Sequence, residues 1–369
     1  MRATTPNPVD GTEIAYEVDG EGPPLLLVHG SGLSRGTWRG LGYLRDLQRD
    51  FTVVALDMRG HGKSGKPHDP GSYAMDLHRG DVGAVLDATG LEPAHYVGYS
   101  FGARIGLSIA AHEPERLRTL TTIGGSWAPM NGNIGATFTP DWHDALTTGG
   151  MARFVDRWGE TIGRPIDPET RLAFMQDDPI ALAAFFSAAE TGGGLTIPQL
   201  DSVEVPTLLL AGTRDVDRHR ESQEAARRMP AAVFYSLVGQ DHAPSLLPVD
   251  QVTDLLRTFL EAVDAGRPAC RVVDQEARRQ SAGRPGRRGA RTQDARGGAA
   301  RERRTPRERP PARARARRLR EWTHHGHQSA SVLDGVGLGG RHPRAVRLHD
   351  RVPRADGQGV ARDALTRAS

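Results

Sequence analysis

Cysteine is almost missing from this chain: Cys270 is alone among 369 residues. One thiol makes neither an internal disulfide nor a zinc cage, so a disulfide-stapled scaffold and a thiolate metal site are both excluded. Long apolar runs are missing too. No stretch approaches the roughly 18 apolar residues a membrane helix needs, and Met1 to Glu21 lacks the apolar centre of a signal peptide. The expectation is a cytoplasmic protein that does not enter a membrane. Aromatic residues are scarce, and after Arg267 only Trp322 remains.

Lysine vanishes at the same place. Residues 267–369 hold 26 Arg, no Lys and 10 acids, a net +16, whereas residues 1–266 carry 22 basic and 35 acidic groups, a net −13. Blocks such as Arg313-Ala314-Arg315-Ala316-Arg317-Arg318 bury too little apolar surface to order a chain, so 267–369 is expected to be a disordered Arg-rich tail. Three origins fit it: an unstructured extension, out-of-frame translation of GC-rich coding sequence, or an arm that binds polyanions nonspecifically by counterion release. No specific nucleic-acid partner is expected, and composition leaves the oligomeric state open.

Residues 1–266 read differently. Short apolar runs recur at Ile14 to Val18, Leu25 to Val28, Thr52 to Leu56, His95 to Val97, Thr119 to Ile123, Thr207 to Leu210 and Val233 to Leu237, with helix-like segments between them. Strands alternating with helices imply an α/β fold with a doubly wound, mostly parallel sheet. Between about 127 and 200 the alternation breaks. Met151, Phe154, Val155 and Trp158 keep helical spacing, Asp167-Pro168 and Asp178-Pro179 each look like an N-cap with proline in the first turn, and Gly192-Gly193-Gly194 is expected to end the last helix. This inserted segment is expected to form a small helical lid. A final helix runs from Val249 to Val263, with Val252, Leu256, Phe259 and Val263 on one side.

In parallel sheets, ligands collect at the carboxyl ends of the strands. There the chain offers Gly98-Tyr99-Ser100-Phe101-Gly102, a serine between glycines after one strand and before the helix Phe101 to His112. Such a turn thrusts the hydroxyl outward, which makes Ser100 a candidate nucleophile. A serine hydroxyl is weak at neutral pH and needs an imidazole to take its proton and a carboxylate to hold that imidazole. Asp215 follows Leu208-Leu209-Leu210-Ala211-Gly212, and His242 follows the last strand. The order Ser, Asp, His is the one used by G-x-S-x-G sheet enzymes.

With these motifs in place, residues 1–266 resemble the α/β-hydrolase fold superfamily. The resemblance rests on His29-Gly30-Ser31-Gly32, on the run Asp57 to Ser64, on the elbow at Ser100, on Gly212-Thr213-Arg214-Asp215 and on Asp241-His242. The run from Asp57 to Ser64 is most similar to the branch of small carboxylesterases, lactonases, carbon–carbon bond hydrolases and cofactor-free haloperoxidases. Epoxide hydrolases and haloalkane dehalogenases place aspartate at the elbow, and this chain does not. The resemblance implies hydrolysis of an ester, lactone or similar acyl bond in a small-molecule substrate by Ser100, His242 and Asp215, without metal or organic cofactor. It also implies an oxyanion hole from the backbone N–H groups of Ser31 and Phe101. Carbon–carbon bond hydrolysis, perhydrolysis and a non-catalytic receptor on the same fold are the alternatives.

Other residues invite roles that local context opposes. Asp217 competes with Asp215, which alone occupies the G-x-x-D position. His29 and His61, in glycine-rich loops, and Asp57 with Arg59 are expected to hold backbone together. His219 is expected to be solvated. Gly60-His61-Gly62-Lys63-Ser64 lacks the four-residue gap of a phosphate loop, which excludes nucleotide binding of that kind. For Phe185, Phe186, Trp142 and Met151, pocket and plain core both remain open.

Overall fold

A computed structural model describes residues 1–267. The tail expected from 267 onward lies outside the described residues, apart from Arg267 itself. Eight strands form one sheet: β1 (Arg2–Pro6), β2 (Glu13–Asp19), β3 (Pro24–Val28), β4 (Thr52–Leu56), β5 (Ala94–Tyr99), β6 (Leu117–Ile123), β7 (Thr207–Gly212) and β8 (Ala232–Leu237). Their spatial order is β1-β2-β4-β3-β5-β6-β7-β8. The β1–β2 and β2–β4 pairs are antiparallel, and every pair from β4 to β8 is parallel. The expected mostly parallel sheet is therefore present, with an antiparallel edge.

Both faces of this sheet are covered, which explains why its central strands are apolar without alternation. Leu25 and Leu27 of β3 point into one core with Leu208 and Leu210 of β7. That core is closed by α1 (Arg35–Leu41) and α2 (Tyr43–Leu47) on the N-terminal side of the chain. Leu26 and Val28 point into the other core, which is closed by α3 (Met75–Thr89) and α4 (Phe101–His112). The α4 helix packs unusually close to the sheet. A Cβ on Gly106 would stand 2.5 Å from the Tyr96 ring, and one on Gly102 would stand 2.4 Å from the Val28 carbonyl oxygen.

Between β6 and β7 the chain forms α5 (Asn133–Thr137), α6 (Trp142–Thr161), α7 (Pro168–Phe174), α8 (Pro179–Thr191) and α9 (Ile197–Asp201). Asp167 caps α7 by accepting from the Thr170 N–H, and Asp178 caps α8 by accepting from Ile180 and Ala181. Gly192 ends α8, but one more helix follows it. There Thr196 and Gln199 form a reciprocal capping box at the start of α9, a local signal that outweighs the preceding glycines. The chain then completes α10 (Val216–Arg228) and α11 (Val249–Asp264), the latter burying Val252, Leu256 and Phe259 against the first core.

Candidate active site

Ser100 has φ 52° and ψ −113°, the sole positive φ at a non-glycine among the described residues. Such a conformation costs free energy and persists only where its surroundings enforce it. Two glycines allow it here, because a Cβ on Gly98 would lie 2.5 Å from the backbone of Gly102. The Ser100 N–H is tied to the Ile123 carbonyl at 2.9 Å. The hydroxyl thus leaves the end of β5 at the start of α4.

Strand order does the rest. Because β3, β5, β6, β7 and β8 are successive parallel neighbours, the loops after them open on one edge. Asp215 lies between β7 and α10, where the helix N-terminus favours a carboxylate. His242 follows β8, and its loop is held by a 2.6 Å bond from the Ser245 hydroxyl to the His242 carbonyl and by a 3.3 Å bond from the Tyr99 hydroxyl to the same oxygen. The imidazole bridges the other two groups. Its Nδ1 is 2.6 Å from Asp215 Oδ2, and its Nε2 is 3.0 Å from Ser100 Oγ. With the proton on Nδ1, the ring donates to the carboxylate and accepts from the serine hydroxyl.

Asp217 is remote from this contact. Its side chain is 69% exposed and pairs with Arg220 at 3.1 Å. Of the predicted donors, Phe101 opens α4 and Ser31 follows Gly30, which lies so close that a Cβ there would be 2.9 Å from Ser100 Cβ. Neither the Ser31 nor the Phe101 N–H donates to a protein acceptor among the described residues.

His29, His61 and His219 are engaged elsewhere, whereas both ring nitrogens of buried His78 lack a hydrogen-bond partner among the described residues. His29 Nε2 accepts from the Met58 N–H at 3.0 Å, and burial lowers its pKa to about 4. His61 Nδ1 lies 3.0 Å from the Arg59 carbonyl, and burial lowers its pKa to about 3. His219 departs from expectation. It is half-buried, 2.9 Å from the Ser236 hydroxyl and edge-on to Phe234, because α10 lays its inner face on β8. Asp57 accepts from the backbone N–H groups of Arg35 and Lys63, and Arg59 clasps Asp81 through two 2.7 Å bonds. Both hold the turn, as expected.

Of the four aromatic and methionine candidates, Phe185 reaches the elbow, with its ring centroid 4.6 Å from that of Phe101. Phe186 and Trp142 pack on each other within the inserted helices, and Met151 is buried in the same core. Two neighbours of the site went unnoticed in the sequence. Gly124, at φ 61°, passes so near that a Cβ would sit 3.2 Å from the His242 ring, and Tyr99 lies beside that ring with centroids 5.4 Å apart. The doublet Gly124-Gly125 directly after a strand was the available signal for the first.

A protein-family model described as the alpha/beta hydrolase fold matches residues 23–145. Over 261 residues the chain is 29% identical to RutD of Azorhizobium caulinodans, named for carbamate hydrolysis, covering 68% of this chain and 96% of RutD. The chain has the α/β-hydrolase fold. Among solved structures, a hydrolase from Pseudomonas aeruginosa PA01 superimposes on this α/β-hydrolase with a TM-score of 0.58 at 26% identity, covering 69% of this chain and 95% of the other. Est816, an N-acyl homoserine lactone degrading enzyme, does so with a TM-score of 0.56 at 25% identity, covering 70% and 100%. Among the described residues of the α/β-hydrolase, no helix is long and apolar enough to cross a membrane.

Proposed function

We propose that this α/β-hydrolase is a serine hydrolase that cleaves an ester, lactone or similar acyl bond through an acyl-enzyme. One observation carries the reading: a single imidazole stands within hydrogen-bond reach of both Ser100 Oγ, at 3.0 Å, and Asp215 Oδ2, at 2.6 Å. Ser100 Oγ attacks the carbonyl carbon while His242 Nε2 takes its proton, and Asp215 stabilises the imidazolium that forms. The N–H groups of Ser31 and Phe101 receive the tetrahedral oxyanion, each worth on the order of 3 kcal/mol in the transition state. His242 then protonates the leaving group, and water resolves the acyl-enzyme by the same steps. The inserted helices α5 to α9 serve as the lid, with Phe185 packed on Phe101 at its inner face.

The names of RutD and of Est816 agree with acyl-bond hydrolysis. A fluorophosphonate probe tests the reading directly, since it labels a serine only when the residue is already activated. Labelling of the wild type and none of Ser100→Ala is the expected result; equal labelling of both removes the assignment.

A further inference from the structure

On α4, four residues after Ser100 in the chain, stands a side chain the mechanism does not use. Arg104 is 7% exposed, and although burial lowers its pKa to about 10, it stays charged at neutral pH. A buried cation ordinarily rests against a carboxylate, because an uncompensated charge in a low-dielectric site is costly. Arg59 obeys that rule, with Asp81 at 2.7 Å and Asp10 at 2.8 Å. Arg104 does not. Its Nη1 donates to the carbonyls of Ser126 at 3.3 Å and Ala128 at 2.5 Å, and its buried Nε has no acceptor among the described residues. Glu221, which acts on it electrostatically, is already paired with Arg218 at 2.6 Å.

What Arg104 faces is space. It lines a cavity of about 380 Å³ with Tyr73, Met75, Phe101, Ala188 and Gly193, within the usual size of small-molecule sites. A second cavity of about 160 Å³ shares Arg104, Met75 and Gly193 with the first. Phe101, the residue after the nucleophile, is a wall of the larger cavity, whereas Ser100, Asp215 and His242 are not among its lining residues. The lining is mainly apolar around one cation, which suits a short hydrocarbon chain ending in an anion.

We propose that Arg104 anchors a carboxylate on the acyl part of the substrate, so that the enzyme acts on acyl compounds with a second, anionic end. The proposal rests on the serine-hydrolase reading above. A guanidinium is a planar set of N–H donors that a carboxylate matches, and charge-assisted bonds of this kind are the stronger ones. The competing role is a brace for the loop after β6, through the bonds to Ser126 and Ala128.

Two p-nitrophenyl esters decide between them: the pentanoate, and the monoester of pentanedioic acid, which carries a terminal carboxylate at similar length. The wild-type full chain is expected to favour the anionic ester in kcat/KM by about 10- to 100-fold, the range of a hydrogen bond to a charged group. Arg104→Met should collapse that ratio, and Arg104→Lys should restore part of it. A brace lowers both esters by the same factor and leaves the ratio intact, which overturns the proposal, as does a wild type indifferent to the carboxylate. Calorimetry on the Ser100→Ala protein with pentanedioate separates this from the hydrolysis reading. Saturable binding that is lost on adding Arg104→Met supports the anchor even if neither ester is turned over, an outcome that would count against ester hydrolysis alone. No binding, or binding unchanged by Arg104→Met, overturns the anchor.

Discussion

The turn from Asp57 to Ser64 and the rim formed by Ser100, Asp215 and His242 use the same side chains, an aspartate, a histidine and a serine in glycine-containing loops, to opposite ends. In the turn most polar groups are spent on backbone or on a buried ion pair, although His61 Nε2 has no hydrogen-bond partner among the described residues. Asp57 accepts from the N–H groups of Arg35 and Lys63, and the Ser64 hydroxyl donates to the Asp57 carbonyl at 2.6 Å while accepting from the Ala15 N–H at 2.9 Å. His61 there is fully buried and its ring stays neutral. At the rim, the His242 side chain is 33% exposed and its two ring nitrogens face a carboxylate and a hydroxyl. Residue type is therefore a poor guide to chemistry here, and the partners of each ring nitrogen are a good one.

The comparison breaks most visibly at the nucleophile. Ser100→Ala should cost about 10⁴- to 10⁶-fold in turnover of a p-nitrophenyl ester, the range known for serine hydrolases, with an unchanged urea midpoint. Loss of stability with little loss of activity would place Ser100 with the turn residues. Asp215→Asn should follow, at about 10⁴-fold in kcat, whereas Asp217→Asn should behave as an ordinary surface substitution; the two variants assayed side by side sharpen the choice of carboxylate.

On the other side, Arg59→Met removes the partner of buried Asp81 and is expected to destabilise the fold by about 3–5 kcal/mol, read from urea unfolding. A smaller effect follows from the buried imidazoles. His29 and His61 have pKa values lowered to about 4 and about 3, so at pH 5 they bind protons when unfolded and not when folded. Stability should be full above about pH 6.5 and fall progressively toward pH 4, and replacing His61 with Gln should flatten that slope. Smallest is Asp177, between α7 and α8, whose Oδ2 is buried without a hydrogen-bond partner and whose pKa burial raises to about 7, against the pull of Lys66. Its folded pKa exceeds its unfolded one, so its contribution is present in acid and lost as pH rises through about 7. Asp177→Asn should raise Tm above about pH 8 and change it little near pH 4, by thermal unfolding at both.

Much of this arrangement was legible in the chain itself. The apolar runs of β2 to β8 fall where they were expected; the central ones are continuous because strands buried on both faces need apolar sequence throughout, while β8 is half-buried. The helix after the elbow spans Phe101–His112 as its spacing suggests. β1 escaped notice because Arg2-Ala3-Thr4-Thr5-Pro6 has no apolar run; it is an edge strand that exists by pairing with β2. Tyr99 and Gly124 escaped as site neighbours for a related reason, since each matters only through the loop that other strands bring against it. His219 was misread because the charged residues around it lie on the outer face of α10, while its own ring turns inward to Phe234.

Local pattern alone determined which segments become strands and where the strained serine turn falls. Those properties depend on backbone preference and burial within a few residues, which neighbouring side chains encode. Only the folded sheet decided which imidazole meets the hydroxyl, 142 residues away in the chain, which of two nearby carboxylates steadies it, and that Arg104 is left without an acid. Pairings of that kind depend on the spatial order of β5, β6, β7 and β8 and on the edge their loops share, and no short window of sequence contains that order.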